Sequence, residues 1–544
     1  MDNYTSSSSP WRLIRTDIQY IEVDGISSIG NYAFYDCRQT RNVTLSGSVQ
    51  YLHEYSFSMC LRLTTISMSP NVTATSEEVF NSCPQLHVLN LIGEGPMRQL
   101  SFEDRAWYTL IDLLTEVNID ERITTIGDYC FYQCSKLEKI NFGKVTYIGE
   151  KAFGFCTKLQ SLILPNSVSI LSTEVFRNCY SLQTAILPDD LESIPKGTFH
   201  NCFSLKNATI GKNVKTIDDY AFFNCTDLRS IVVPDLVDRI GKYAFFKCSN
   251  IATVELGKKV KIIDTLAFAT DIKLTTVIFH SNMSEIGIAA FSNCKSLRHI
   301  ELPNSITKLG SEIFYNCTRL ENVSLPHELR GIDGHSFAYC KSLKTIEIPS
   351  KVQYVGKYAF AISGLESISI PKSCSIVAIY AFYFCPKLKD VEFNEGVMFI
   401  GDYSFYGCNG IQSVSFPSTV IYIGKRSFMY CKNLETIYYD GTTNPNCTFY
   451  AFFGTALKDI EVNENYEDDV FCGVTLQLID DISYVYDLLC LISIVVIIVF
   501  ALIVIVIIII KKNKENPEDC CGFNSRYEQF ETGHYQQMVT NVEV

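Results

Sequence analysis

A unit of about 23 residues, marked by a Phe that Ala often precedes, recurs along most of this chain and constrains its fold more than any other feature. The markers are Phe34, Phe57, Phe80, Phe131, Phe153, Phe176, Phe199, Phe222, Phe245, Phe268, Phe291, Phe314, Phe337, Phe360, Phe382, Phe405, Phe428 and Phe452. These eighteen are spaced by 23, with one-residue slips before Phe153, Phe382 and Phe452 and a wide gap after Phe80. The template around Phe222 reads Val214, Ile217, Ala221, Phe222, Cys225, Leu228, Ile231, Val233 and then Pro234. Neither a helical nor a uniform strand period fits it. Alternation at Ile231 and Val233 predicts a short strand, Val214 to Ile217 a second extended piece, and the following Pro a turn. About eight apolar side chains per copy cannot bury themselves in one coil, whereas stacked coils share a continuous core. The predicted fold is a repeat solenoid of about eighteen coils, on the order of 85 Å long if strands lie ~4.8 Å apart.

The gap between Phe80 and Phe131 predicts an irregular insert over 93–122. Gly93-Glu94-Gly95-Pro96 opens it, and Trp107, Tyr108, Leu110, Ile111, Leu113 and Leu114 follow with roughly helical spacing. The chain then divides into an N-terminal segment (1–20), N-terminal repeats (21–92), this insert, a main array (123–462) and a cap with juxtamembrane segment (463–487).

Units such as Ile148-Gly149-Glu150-Lys151-Ala152-Phe153-Gly154-Phe155-Cys156-Thr157-Lys158-Leu159, followed by Leu164-Pro165, resemble the repeats of BspA-like leucine-rich-repeat surface proteins of bacteria and parasitic protists. The resemblance covers roughly residues 20–462. It implies a leucine-rich-repeat β-solenoid or arc, and a role in attachment to host cells, matrix or other microbes, without naming a ligand.

Fifteen of the 22 cysteines stand three residues after a marker, from Cys37 to Cys431, with Asp271, Ser363 and Thr455 in their place elsewhere. A metal array or a disulfide ladder would use such a column. Small buried thiols packing as apolar residues explain it more simply, because zinc needs four convergent ligands. The off-column Cys447 and Cys472 form the disulfide candidate. Histidines are scattered, no catalytic or phosphate-binding motif appears, and neither a metal nor a cofactor is expected. The reading is therefore a binding protein rather than an enzyme. A net charge of −13, without clustered Lys and Arg in the repeats, argues against nucleic acid.

Leu488 to Ile510 are 23 residues of almost pure Ile, Val and Leu. As a helix they would span roughly 35 Å, enough for one transmembrane crossing. Lys511, Lys512 and Lys514 follow, and Asp480, Asp481 and Asp487 precede. The positive-inside rule then puts the tail (511–544) in the cytoplasm and the repeats outside a plasma membrane. Residues 1–17 carry no apolar core of an export leader, so export is expected to rely on the C-terminal span or on a start upstream of this one. N-glycosylation candidates are Asn42, Asn71, Asn207, Asn282, Asn322 and Asn446. Asn224 and Asn316 also lie in sequons, but their side chains are expected to satisfy backbone groups in a turn. In the tail, Tyr527 to Phe530 and Tyr535 to Met538 fit signals read by cytosolic sorting adaptors, and Cys520 and Cys521 are palmitoylation candidates.

An outward-facing residue of each strand lies ten positions after the marker (nine for Ser369, in the coil one residue short), between two inward ones. It reads Ile163, Ile186, Thr209, Val232, Glu255 and Ile278, then Glu301, Ser324, Glu347, Ser369, Glu392 and Ser415. Ile163, Ile186, Val232 and Ile278 are the candidate ligand-binding residues, although ordinary strand propensity also favours branched side chains there. The reading is a cell-surface adhesion protein with an extracellular protein or glycan ligand. An endocytic surface receptor and a membrane-anchored cytoplasmic scaffold are the alternatives.

Overall fold

The computed structural model describes residues 3–93, 106–280, 283–448 and 450–476. Contacts divide the chain into Met1–Val474 and Thr475–Val544; of the second unit only residues 475–476 are described.

In the first unit, apolar alternation after each marker folds as a short strand on one face of the coil. Strand Ser230–Val232 pairs in parallel with Thr253–Glu255, which pairs with Thr276–Ile278. The shorter piece before the marker forms a second parallel sheet, as in Thr216–Ile217, Arg239–Ile240 and Ile262–Ile263. In each of these pairings, residues 23 apart stand side by side. An identical coil can bond to its neighbour only in register, so the period of the sequence becomes the register of the sheets.

Between the two strands the chain turns through the marker, and the backbone there is unusual. Tyr220 and Asn224, two residues either side of Phe222, have φ of 59° and 60°. Left-handed conformation costs roughly 1–2 kcal/mol at a non-glycine residue. Here it aims alternate amides along the stack. Tyr220, Phe222 and Asn224 donate to the carbonyls of Lys242, Ala244 and Phe246 at 2.9, 2.7 and 2.7 Å. The turn thus forms its own ladder, and the strain is offset by bonds that buried amides need.

Marker rings stack face to face inside this turn. Phe222–Phe245 and Phe245–Phe268 centroids are each 5.1 Å apart, with every ring buried. Burial contributes about 1.5–3 kcal/mol per ring, and stacking about 0.5–1.5 more. Beside the rings runs a spine of thiols. Cys225 Sγ donates to the Phe199 carbonyl at 3.2 Å, Cys248 to Phe222 at 3.2 Å and Cys317 to Phe291 at 3.2 Å. A cysteine here is small enough for the core and still satisfies a carbonyl of the preceding coil.

The insert expected over 93–122 does not divide the array. Strand Val88–Leu91 pairs directly with Glu116–Ile119, so one sheet runs through. Trp107 is buried, stacks on Phe131 at 6.0 Å, and donates its indole N–H to the Cys130 carbonyl at 3.0 Å. Ala106-Trp107 is the Ala-Phe marker in another form, and its coil is the nineteenth. Irregular spacing hid it, since Trp107 lies 27 residues after Phe80 and 24 before Phe131. The helical spacing yields only the 3-10 turn Tyr108–Leu110. Trp11 likewise lies 23 residues before Phe34 and stacks on it at 5.9 Å. The N-terminal segment therefore supplies the first layer of the column. At the other end, buried Phe471 lies 6.3 Å from Phe452 and 5.2 Å from Tyr439, while Cys447 is bonded to Cys472 with Cα atoms 5.0 Å apart.

Candidate binding face

The three-residue strands alternate outward, inward, outward. In Ser161–Ile163 only Leu162 is buried, and Ile163, Ile186, Val232 and Ile278 are 66, 44, 61 and 43 % exposed. Ile163 stands beside Ile186, and Ile186 beside Thr209. Val232 stands beside Glu255, and Glu255 beside Ile278. The sheet brings together Ile163 with Ile186, but separates Val232 and Ile278 by a carboxylate. The four share one face without forming a continuous apolar patch.

Further along, the same row turns acidic. Glu301 adjoins Ser324, Ser369 adjoins Glu392, Glu392 adjoins Ser415, Ser415 adjoins Tyr438, and Tyr438 adjoins Glu461. With Glu255 and Glu347 in their places, carboxylates occupy alternate coils from Glu255 to Glu392, and all four are exposed. Three bases along the neighbouring edge are engaged elsewhere, whereas Lys389 is in none of the ion pairs among the described residues. Arg298 pairs with Glu321 at 2.8 Å, Lys344 with Glu366 at 3.1 Å and Lys458 with Glu435 at 3.0 Å. Among the described residues the ion pairs leave out Glu255, Glu301, Glu347 and Glu392. Glu347, Ser369, Glu392, Ser415 and Tyr438 line one groove of about 670 Å3, together with Lys389. Tyr438 was missed in the sequence, although it continues the same ten-after-the-marker series.

The spine thiols are buried away from solvent, and only Cys83 and Cys385, hydrogen-bonded to the neighbouring thiols of Cys60 and Cys408, are lowered in pKa. Burial pushes Cys179 and Cys317 up to about 12, and a thiol reacts as its thiolate. Among the described residues no three His, Cys, Asp or Glu side chains form a group able to hold a metal ion. Asp271 replaces cysteine in the spine, fully buried, and neither carboxyl oxygen finds a hydrogen-bond partner. Burial drives its carboxyl well above the usual carboxylate range.

Of the glycosylation candidates, Asn42, Asn207, Asn322 and Asn446 are exposed and Asn71 is half-buried, while Asn282 lies outside the described residues. Asn224 and Asn316 bond to other side chains rather than to the turn backbone. Asn224 donates its amide to Asn201 at 2.9 Å, and Asn316 donates to Asn293 at 2.7 Å. Asn tolerates the left-handed backbone at this position, which places like amides one above another. The span 488–510, Cys520, Cys521, Tyr527, Phe530, Tyr535 and Met538 also lie outside the described residues. Among the described residues no helix is long and apolar enough to cross a membrane.

Stacked coils with one parallel strand each, an aromatic column and a thiol–carbonyl spine define a leucine-rich-repeat solenoid, a class whose members are in general non-enzymatic binding scaffolds. The BspA type leucine rich repeat region (6 copies) matches residues 15–138, 100–229, 238–364 and 353–476. The chain belongs to this BspA-type leucine-rich-repeat family. No curated protein matches it in sequence. Among solved structures, a leucine-rich repeat protein from Bacteroides ovatus is 22% identical, covering 77% of this chain and 91% of that one at a TM-score of 0.47. A leucine rich cell surface protein from Faecalibacterium prausnitzii is 26% identical over 57% of this chain and 83% of its own, at 0.37. A pneumococcal vaccine antigen is 16% identical over 83% and 90%, at 0.31.

Proposed function

We propose that the chain is a cell-surface binding protein that presents the exposed strand face of its solenoid to an extracellular protein or glycan. The observation that carries this reading is the outward row itself. Ile163, Ile186 and Val232 stay exposed on strands whose inward neighbours are buried, and Ile278 is exposed beside a half-buried Val277. The apolar segment 488–510, with lysines on one side and aspartates on the other, supports anchorage in the plasma membrane with the repeats outside and the tail in the cytoplasm. The exposed sequons at Asn42, Asn207, Asn322 and Asn446 fit the same topology. Uptake through the tyrosine motifs of the tail would make the protein an endocytic receptor, built on the same binding face.

One observation favours a cytoplasmic scaffold instead, namely that 17 cysteines among the described residues stand outside disulfides, where exported proteins usually pair theirs. Their burial weakens that objection, because a thiol sealed in a core is inert to exchange. Protease treatment of intact cells, with separate antibodies to solenoid and tail, decides between the two. Loss of the solenoid with survival of a tail fragment is expected. Survival of both until the membrane is opened overturns the surface reading. Replacing Ile163, Ile186 and Val232 together with Ser should weaken attachment to cells or matrix while leaving the fold intact; unchanged attachment removes the apolar row from the binding face.

A further inference from the structure

The strand face continues past the apolar row, and its second half carries a spacing of its own. Glu255, Glu301, Glu347 and Glu392 stand on alternate coils of one row, exposed and outside the ion pairs that occupy Arg298, Lys344 and Lys458. Strand pairing joins Glu255 to Ile278, Glu301 to Ser324 and Ser369 to Glu392, while Glu347 lies between sheets on its own coil; at ordinary strand spacing two stacked coils amount to ~9.6 Å. We propose that this half of the face binds an extended polypeptide in polyproline II conformation with Lys or Arg at every third residue, lying along the stack. The proposal rests on the surface-binding reading and names the kind of partner for its acidic half.

The conformation follows from the spacing. A polyproline II chain has three residues per turn and rises ~9.3 Å per turn, so every third side chain faces the same way at nearly the glutamate interval. Across the three intervals from Glu255 to Glu392 the mismatch accumulates to roughly 0.9 Å. A β-strand repeats its facing residues every ~6.7 Å and falls out of step at the first interval. An α-helix would need residues seven apart, ~10.5 Å, and drifts by roughly 2.7 Å over the same distance.

Two further features fit such a chain. Polyproline II has no internal hydrogen bonds, so its carbonyls need donors from outside. Ser324, Ser369 and Ser415 alternate with the glutamates and are exposed, and each hydroxyl can donate to a carbonyl between two basic side chains. The groove lined by Glu347, Ser369, Glu392 and Ser415 also includes Tyr438, 39 % exposed. An aromatic ring beside carboxylates is the chemistry that receives a proline together with a basic residue. Glu and Ser supply charge and donors at the partner's period, and Tyr438 supplies an apolar platform at the groove.

The test uses the purified full-length chain and a fluorescent peptide of repeated Pro-Pro-Arg, read by anisotropy at low and raised salt. One control peptide has the same composition with all arginines grouped at one end; a second has Gly in place of Pro. The periodic peptide should bind with strong salt dependence, and both controls about tenfold more weakly. Combined Glu301→Gln, Glu347→Gln and Glu392→Gln should lower affinity by a similar factor, with an unchanged melting curve to show that the fold persists. Equal binding of the grouped-arginine peptide, or full affinity in the triple variant, overturns the proposal. The assay is independent of where cells place the protein. Failed peptide binding with intact attachment through the isoleucine row sinks this inference alone, whereas peptide binding by a solenoid inaccessible on intact cells sinks the surface reading alone.

Discussion

The coil beneath Ile163 and the coil beneath Glu392 are built alike. In both the marker ring, Phe153 or Phe382, is buried. In both the following thiol donates to the carbonyl of the preceding marker, Cys156 to Phe131 at 3.3 Å and Cys385 to Phe360 at 3.0 Å. The difference lies in the outward residues of the strand, Ser161 and Ile163 in the first case and the carboxylates Asp390 and Glu392 in the second. Inward positions are held by their neighbours above and below, so a change there is felt in three coils at once. Outward positions touch solvent and can diverge coil by coil. The contrast teaches that binding character in this molecule is carried by a few exposed residues on a scaffold common to both halves.

Breaking the scaffold should therefore cost the same in either half. Phe222→Ala and Phe382→Ala should each destabilise the array by about 3–5 kcal/mol, read from the midpoint of urea unfolding. A clearly smaller loss in one half would show that the two halves are not built on one core.

The junction between the halves should respond to pH. Asp271 belongs to the coil that presents Ile278, the last apolar member of the row, and lies between the thiols of Cys248 and Cys294. Both neighbours are themselves pushed up by burial and remain neutral. Its folded carboxyl titrates above the ordinary carboxylate range, so between the two values the folded state holds a proton that the unfolded state has lost. Stability attributable to this group falls as pH rises from about 4 towards the folded value. Asp271→Cys restores the donor used elsewhere in the spine and should stabilise the array at pH 7 by about 1–3 kcal/mol. It should also flatten the loss of stability between mildly acidic and neutral pH. An Asp271→Cys variant no more stable than the parent at pH 7 would mean that the buried carboxyl is satisfied in solution.

The smallest stability effects belong to the binding face. Ile163→Ser and Glu347→Gln should each change stability by no more than about 0.5 kcal/mol, measured by thermal melting. Their binding effects should separate by salt. Contacts through the isoleucine row should persist as ionic strength rises, while those through the glutamates should fade with screening. Identical salt responses would erase the distinction between the two halves.

Much of this was legible before any coordinates. The marker period gave the stacking, the alternation around Ile231 and Val233 gave the strand, and the position ten after each marker gave the exposed row. Trp11 and Trp107 were not legible as members of the aromatic column. A search for Phe at a fixed interval passes over a different ring, and the 27-residue step to Trp107 conceals its coil. The groove was half legible, because Glu347, Ser369, Glu392 and Ser415 fall in the outward row, but nothing in their spacing showed that bases nearby would be occupied by Glu321, Glu366 and Glu435.

What the sequence determined by itself is direction: which side chains must face inward, because a 23-residue coil with eight apolar groups has no other way to bury them. What the tertiary structure decided is partnership across coils. That Val88–Leu91 meets Glu116–Ile119, that each spine thiol reaches a carbonyl in the coil before it, and that Asn224 bonds to Asn201 depend on which coil edges are adjacent. These bonds run along the stack, perpendicular to the chain, and a linear spacing specifies them only after the coils have closed upon one another.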